Sequence, residues 1–479
     1  MKPTRSFWKI ARKVLLICFL LFIAIQFIRP PLDNAPATAD LEAPPPVKAI
    51  LQRACYDCHS GETRLAWFDQ PAPAYWLVVK DVKEGRKALN FSLFNSLPKG
   101  VQAAKLYECI MQMEQQAMPL SQYSALHRQG LVSEAEIGVL KQYALALGYH
   151  AKPDTVRQRA LAEQYAQWTG LTGSAAGTSV SATTTPAAAT AVSATTTPVA
   201  SVADEFNGIA YGPMAGFADW KAVSTTERYD NGTFRLILGN DVTIKAIREG
   251  HTNPWPDGAM FAKVAWDQLP DSSGEIHAGA YKQVEFMIRD SQKYASTFGW
   301  GWARWVGGLA LKPYGKDASF VTECMNCHRP VARLDYTFTL PLADTLALYD
   351  QAASLPDSVG RYPLSGKVIA TFVNTREGTM SSLYGNELAV SSARKGRPYP
   401  SGAAVALVTW SQRDDPHWFG GRIPKGLVSI ETLNFGPAGT PVYVRYEGSS
   451  LTKKMPAADA VAGRVQYITG QKASVLPRP

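Results

Sequence analysis

Cysteine is scarce: six residues in a chain of 479 are too few for a disulfide scaffold, so what they do depends on their spacing. Acid is absent from the first thirty residues, where Lys2, Arg5, Lys9, Arg12, Lys13 and Arg29 supply six of the nine net positive charges. The remainder is close to neutral, which removes the electrostatic case for a nucleic-acid partner. Long apolar runs are lacking as well; Val14–Ile28, interrupted by Cys18 and Gln26, falls short of the ~20 residues that span a bilayer comfortably. From Leu171 to Ala203 there is neither charge nor aromatic ring. What is present, 46% hydrophobic and 19% charged residues, is globular in composition and excludes disordered, collagen-like and polytopic chains. The length predicts about three folded units.

The basic stretch followed by Val14–Ile28 reads as a membrane-targeting signal occupying residues 1–30. Trp8 and Ile10 extend the apolar run, so an uncleaved signal anchor is favoured over a cleaved, soluble periplasmic form. Five cations before the segment and one after it put the N-terminus in the cytoplasm and the rest on the periplasmic side of the inner membrane. Ile17 before Cys18 argues against lipidation.

Residues 171–203 contain Val-Ser-Ala-Thr-Thr-Thr-Pro twice and are expected to be an Ala/Ser/Thr/Pro linker. Such a composition cannot bury enough apolar surface to offset chain entropy. Ahead of it, 40–150 reads as helical and 151–170 as a helical extension. Val47, Ile50, Leu51 and Ala54 keep a 3.6 period, and Ser133–Glu136 forms a capping box opening a helix that runs to Gly148. Behind the linker, alternation in Phe234–Leu238, Met260–Trp266, Trp300–Trp305 and Val442–Tyr446 predicts strands. This rear part repeats itself. Gly239-Asn240-Asp241, Gly250, Gly258 and Trp266 recur as Gly385-Asn386-Glu387, Gly396, Gly402 and Trp410. Two β-rich copies are therefore expected at 204–343 and 344–450, followed by a tail at 451–479.

Cys55-Tyr56-Asp57-Cys58-His59 and Cys324-Met325-Asn326-Cys327-His328 both fit Cys-x-x-Cys-His. Two thiols one helical turn apart add across the vinyl groups of one porphyrin, and the adjacent imidazole becomes the proximal iron ligand. Two covalently attached c-type haems are expected, with His59 and His328 binding iron. A zinc site or redox dithiols are the alternative reading. Cys18 belongs to the apolar segment, and Cys109 reads as a buried structural thiol. For the sixth ligand of the front haem, Met118 before Pro119 is preferred; Met111 and Met113 read as helix core or surface, and His127 as a solvated or capping histidine.

The front part resembles the small haem-binding domain of exported bacterial proteins, through Cys55–Ser60, Glu62-Thr63-Arg64, Trp67, Trp76, Asp81-Val82, Glu84-Gly85-Arg86, Asn90-Phe91-Ser92, Met118-Pro119 and Ser133–Glu136 over about 45–148. The resemblance implies a monohaem cytochrome c unit near a membrane anchor and supports Met118. Residues 204–343 resemble the cytochrome P-460 family through Pro256–Lys263, Val284–Lys293, Trp300–Trp305 and Cys324–His328. That resemblance implies a β-sheet fold around a five-coordinate haem, hydroxylamine oxidation in its enzyme members, and a lysine cross-linked to the porphyrin. By position the lysine is Lys263, which interrupts an apolar strand where an unpaired ammonium is costly; a solvent-facing lysine is the alternative. Glu285 aligns with the family's distal carboxylate and is expected to have a raised pKa suited to accepting a proton, against the alternative of a surface glutamate. In the second copy Leu407 replaces Lys263 and no Cys-x-x-Cys-His follows, so a degenerate partner domain without haem is expected. His417 reads as an exposed loop histidine.

The expected fold class is multidomain: a mainly α cytochrome c-like domain, then two antiparallel β-rich cytochrome P-460-like domains. The expected function is oxidation of a small nitrogen compound at the rear haem, with Lys263 and Glu285 as catalytic groups, and electron transfer through the front haem. The acceptor would be a periplasmic cytochrome or a membrane electron-transfer chain. Nitric oxide binding like that of cytochrome c′-beta and pure electron transfer are the alternatives.

Overall fold

The computed structural model describes residues 5–147, 155–170, 205–206, 209–314, 319–342, 366–437, 440–448 and 451–476. Two compact units, Met1–Gly148 and Tyr149–Pro479, divide the chain. The linker expected at 171–203 lies outside the described residues.

The first unit is helical: α1 (Arg5–Ile25), α2 (Pro45–Ala54), α3 (Tyr56–His59), α4 (Ala74–Ala88), α5 (Lys99–Glu114), α6 (Ser121–Leu126) and α7 (Glu134–Leu147). The predicted period is seen in α2, where Val47, Ile50, Leu51 and Ala54 are all buried. Ser133 and Glu136 form the expected capping box: the Ser133 N–H donates to Glu136 Oε2 at 2.9 Å and the Glu136 N–H to Ser133 Oγ at 3.3 Å. Met111 and Met113 lie in the core face of α5 with Leu106, Tyr107 and Ile110.

The fold does not support the expected membrane-spanning anchor. Among the described residues no helix is long and apolar enough to cross a membrane. Helix α1 places Arg5, Lys9, Arg12 and Lys13 in its first half, leaving Val14–Ile25 as its uncharged part. At 1.5 Å per residue this is about 18 Å, against the ~30 Å of a hydrocarbon core. Its apolar side chains, Leu15, Phe19 and Leu20 among them, are exposed.

The second unit begins with α8 (Thr155–Thr169) and two short strands, β1 (Glu205–Phe206) and β2 (Ile209–Ala210). Then follow β3 (Lys221–Arg228), β4 (Thr233–Gly239), α9 (Asp241–Glu249), β5 (Met260–Pro270), β6 (Glu275–Arg289), β7 (Trp300–Val306), β8 (Lys312–Pro313) and α10 (Ser319–His328). The same order recurs as β9 (Lys367–Asn374), β10 (Thr379–Gly385), α11 (Glu387–Arg394), β11 (Ala404–Asp414), β12 (Gly421–Phe435), β13 (Pro441–Glu447), β14 (Thr452–Lys453) and α12 (Ala458–Gly470). Registers agree too: Lys221 faces Gly239 as Lys367 faces Gly385, and Gly239 faces Phe261 as Gly385 faces Val405.

The repeated Gly-Asn-acid motif thereby acquires a cause. Asn240 and Asn386 each cap a helix, accepting from Thr243 N and Ala389 N. Each also ties down the glycine before the next strand, donating to Gly258 O at 2.8 Å and Gly402 O at 2.9 Å.

The copies are not separate sheets. Residues Glu275–His277 of β6 pair with β9, and Gly421–Arg422 of β12 pair with β3. With β11 also paired to β12, the path β11-β10-β9-β6-β5-β4-β3-β12 closes on itself, all antiparallel. Helix α8, expected as an extension of the front part, packs on β6, where Gln164 exchanges hydrogen bonds with the backbone of Tyr281. The expected tail is built in as well: Val475 and Leu476 are buried, and Trp266 Nε1 donates to Val475 O at 2.6 Å.

Candidate functional site

In the first unit α2 ends at Cys55 and α3 at once presents Cys58 and His59. His59 Nδ1 donates to Gly85 O at 2.9 Å and Leu89 O at 3.0 Å, the carbonyls that end α4. Burial lowers its pKa, so the ring is neutral at pH 7. Nε2 has no protein partner among the described residues, leaving its lone pair for a metal. Burial and Asp57 push the Cys58 thiol up to about 11. Cys109, half-buried rather than fully buried, lies within hydrogen-bond reach of Cys55 and with burial raises its pKa.

Gly85 is needed here because of a close approach. A Cβ at this position would lie 2.9 Å from Cys58 O and 3.3 Å from His59 Cε1. Gly85→Ala gains ~1 kcal/mol of helix propensity but forces α4 off the motif at a typical overpacking cost of ~1–3 kcal/mol. The expected outcome is a net loss of up to about 2 kcal/mol together with weaker front-site haem retention, measured by thermal melting at the haem absorption band.

His127 is not solvated. It is buried, with Nε2 3.0 Å from Asp69 Oδ2 and Nδ1 3.2 Å from Tyr123 O. Both ring nitrogens are used, which withdraws it as an iron ligand. Its ring stacks on Tyr123, whose hydroxyl donates to Asp57 Oδ2 inside the motif at 2.9 Å, so it braces the motif from behind. Met118 sits half-buried in the turn after α5, its N–H bonded to Gln112 O at 3.2 Å.

The second unit gathers its candidates on one sheet face. Strand alternation puts Phe261 and Lys263 of β5 on the face opposite Ala262 and Val264. Across the ladder Lys263 is opposite Glu285, and Glu285 opposite Arg304. Lys263 Nζ forms an ion pair with Glu285 Oε2, and Arg304 Nε lies 3.3 Å from Oε1. The costly lysine thus has its partner in Glu285. Neither is a surface group: the side chains are 29% and 16% exposed. Burial pulls Lys263 down to about 8 despite that partner.

The raised pKa expected for Glu285 is overturned. Burial alone would raise it, but Lys263, Arg304 and Arg235 together outweigh burial and hold it at about 2. It is a fixed anion at neutral pH. Arg235 supplies a further, half-buried cation, its buried Nε without a hydrogen-bond partner among the described residues.

Helix α10 brings Cys324, Cys327 and His328 to this face, with Cys324 and Met325 against the aromatic cluster of Trp255, Phe261, Trp300 and Trp302. Lys263, Glu285 and Arg304 lie near enough for their charges to act on both Cys324 and His328. His328 repeats the chemistry of His59. Nδ1 donates to Tyr336 O at 2.7 Å, burial lowers the pKa to about 4, and Nε2 has no protein partner among the described residues. The accepting turn is strained, with Asp335 at φ 47° and Tyr336 at φ 62°. Asp335 secures it by accepting from Trp255 N at 2.8 Å and Trp300 Nε1 at 3.3 Å.

Two half-buried, neutral imidazoles, each oriented by a backbone carbonyl and following a thiol pair, form a donor set suited to haem iron. Residues 20–146 match the family described as haem-binding domain, and residues 214–339 match cytochrome P460. The chain is a haem cytochrome that joins these two domains. No curated protein matches it.

Sequence reading missed three groups of this cytochrome: Arg304, Arg235 and the Tyr336 carbonyl. Arg304 left a signal, since in Trp300–Trp305 it shares the alternation of Trp300 and Trp302 and so had to face the same site.

The second repeat fills the corresponding face with protein. Leu407 stands opposite Glu431, and Glu431 opposite Arg445, as Lys263, Glu285 and Arg304 do in the first repeat. Glu431 is buried and is held by Arg464 of α12 at 2.6 and 2.9 Å and by the Tyr443 hydroxyl at 2.6 Å. Ile468 of α12 packs into the cluster of Leu383, Leu407 and Leu433. Helix α12 occupies the place that α10 holds in the first repeat.

Proposed function

We propose that this protein is an exported dihaem c-type cytochrome that oxidises a small nitrogen compound of the hydroxylamine type in its second unit and passes the electrons on through the haem of its first. The observation that carries the reading is the pair of histidines, His59 and His328, each with Nδ1 on a backbone carbonyl and Nε2 left for iron. Cys55 and Cys58, and Cys324 and Cys327, would form the thioether links, and Met118 would complete the front iron's coordination. Held by His328, haem would supply the electron acceptor for oxidation of the substrate.

The remaining roles belong to the chain. With a pKa of about 8, Lys263 holds a fraction of free amine near neutrality, the form able to bond to a porphyrin edge or take a substrate proton. Glu285, ionised throughout, does not accept that proton; it holds Lys263 and Arg304 in place. The apolar face of α1, exposed and preceded by cations, supports membrane targeting and a periplasmic location, with a periplasmic or membrane-bound redox protein as acceptor.

Haem determination on the purified chain, its reduced absorption spectrum, and hydroxylamine-dependent reduction of a dye acceptor test the reading together. The expected result is two covalent haems, a band far to the red of ordinary c-type haem, and dye reduction. A count other than two rejects the dihaem assignment. Nitric oxide binding without dye reduction replaces oxidation by gas binding, an outcome favoured by the absence of a raised carboxyl pKa at Glu285.

A further inference from the structure

The second repeat reaches into the rear site of the first. Its β11–β12 hairpin carries Asp415, Pro416, His417 and Trp418, and His417, expected to be exposed, is half-buried there. Its Nδ1 donates to Phe338 O at 2.8 Å. The Phe338 ring stands edge-on to Trp418 at 5.3 Å and edge-on to the His328 imidazole at 5.1 Å. Trp302, whose ring lies 5.7 Å away, is a second ring neighbour of His328.

The hairpin is itself anchored on the first repeat. Gly421 pairs with Arg228 of β3, and the Arg228 guanidinium lies 4.0 Å over the Trp418 ring. Arg228 is tied to Asp230, both buried, and Asp230 Oδ2 accepts from Trp418 Nε1 at 3.3 Å. The contact is reciprocal in form. The β5–β6 hairpin of the first repeat meets the second through Glu275, which accepts from the Tyr467 hydroxyl of α12, and through His277 against Phe372. Of the two terminal helices so buttressed, only α10 carries Cys-x-x-Cys-His.

We infer that the second repeat serves as a built-in proximal wall for the first repeat's haem: His417 and Trp418 fix Phe338, and through it the orientation of the His328 imidazole. They are positioning residues, touching neither iron nor substrate. The inference rests on His328 as iron ligand. Imidazole orientation sets its overlap with the iron, so freeing one wall changes the strength of the iron–histidine bond without removing it.

The test uses the full haem-loaded chain, with the front haem as internal reference. In resonance Raman spectra of the ferrous protein, His417→Ala and Trp418→Ala should shift or split the rear iron–histidine stretching band. The ferric/ferrous equilibrium constant of that haem should change at least threefold. His417→Asn keeps an N–H donor near the position of Nδ1 and should restore both. Should Trp418→Ala not fold, the His417→Ala and His417→Asn pair decides alone. Band and equilibrium constant unchanged in His417→Ala overturn the inference while leaving His328 as ligand. A rear iron–histidine band that survives His328→Ala overturns the ligand assignment, and the inference with it.

Discussion

Glu285→Gln is expected to destabilise the second unit by about 2–3 kcal/mol and to lower turnover at least tenfold, while leaving covalent haem content unchanged. Glutamine has the same shape but no charge, and it would leave Lys263, Arg304 and Arg235 facing one another across β4, β5 and β7. Removing one partner of a fully buried ion pair costs ~3–5 kcal/mol. Here two effects reduce that. The side chains retain some exposure, and Lys263, already held at about 8, would drop below neutrality and shed its proton. At ~1.4 kcal/mol per tenfold change, neutralising Lys263 at pH 7 is the cheaper way out, and it caps the loss. Cys324 and Cys327 approach the haem from α10 and need no charge on Glu285, so attachment persists. Chemical denaturation followed by tryptophan emission reads the second unit, which holds most of the chain's tryptophans, and pyridine haemochrome assay reads attachment. Unchanged stability would mean that the three cations do not depend on Glu285.

The repeated order of elements and the strand positions were legible because each depends on local spacing. Period-2 alternation exposed β4, β5, β7 and β13, and matching glycines and tryptophans aligned the copies. What was not legible required the third dimension. The sign of the Glu285 pKa shift turned on Arg304 and Arg235, which lie on other strands, and no spacing near Glu285 announces them. His127 looked solvated because Asp69, fifty-eight residues earlier, is its partner only in the fold. The closure of both copies into one sheet depends on two short pairings, β6 with β9 and β12 with β3, each formed by strand ends whose sequence serves equally well as a free hairpin. Likewise Arg464 and Ile468, the residues that fill the second repeat's site, belong to a segment with no partner visible in sequence.

The same carboxylate predicts an acid transition. Its pKa is about 2 in the folded chain against an ordinary 4.5 unfolded, so the unfolded state binds more protons between those values and stability rises with pH across that window. The stabilisation is fully present above about 4.5 and is lost as pH falls toward 2, amounting to on the order of 3 kcal/mol. Other groups titrate nearby: burial raises the pKa of Glu227 and Asp415, which works in the opposite direction. The difference between the wild-type chain and Glu285→Gln cancels them. The groups facing Glu285 are Lys263 from β5, Arg304 from β7, Arg235 from β4 and the Gln283 amide on its own strand, and none of these changes charge below pH 5. Unfolding of the second unit measured from pH 6 to pH 2 should therefore show a gap no smaller than that at pH 7, since acid returns the proton to Lys263 of the variant; the gap persists to roughly pH 4.5 and closes by pH 2. A gap that stays constant through this range would mean that Glu285 is not the anion its three cations require, and the charge balance of the rear site would have to lie elsewhere.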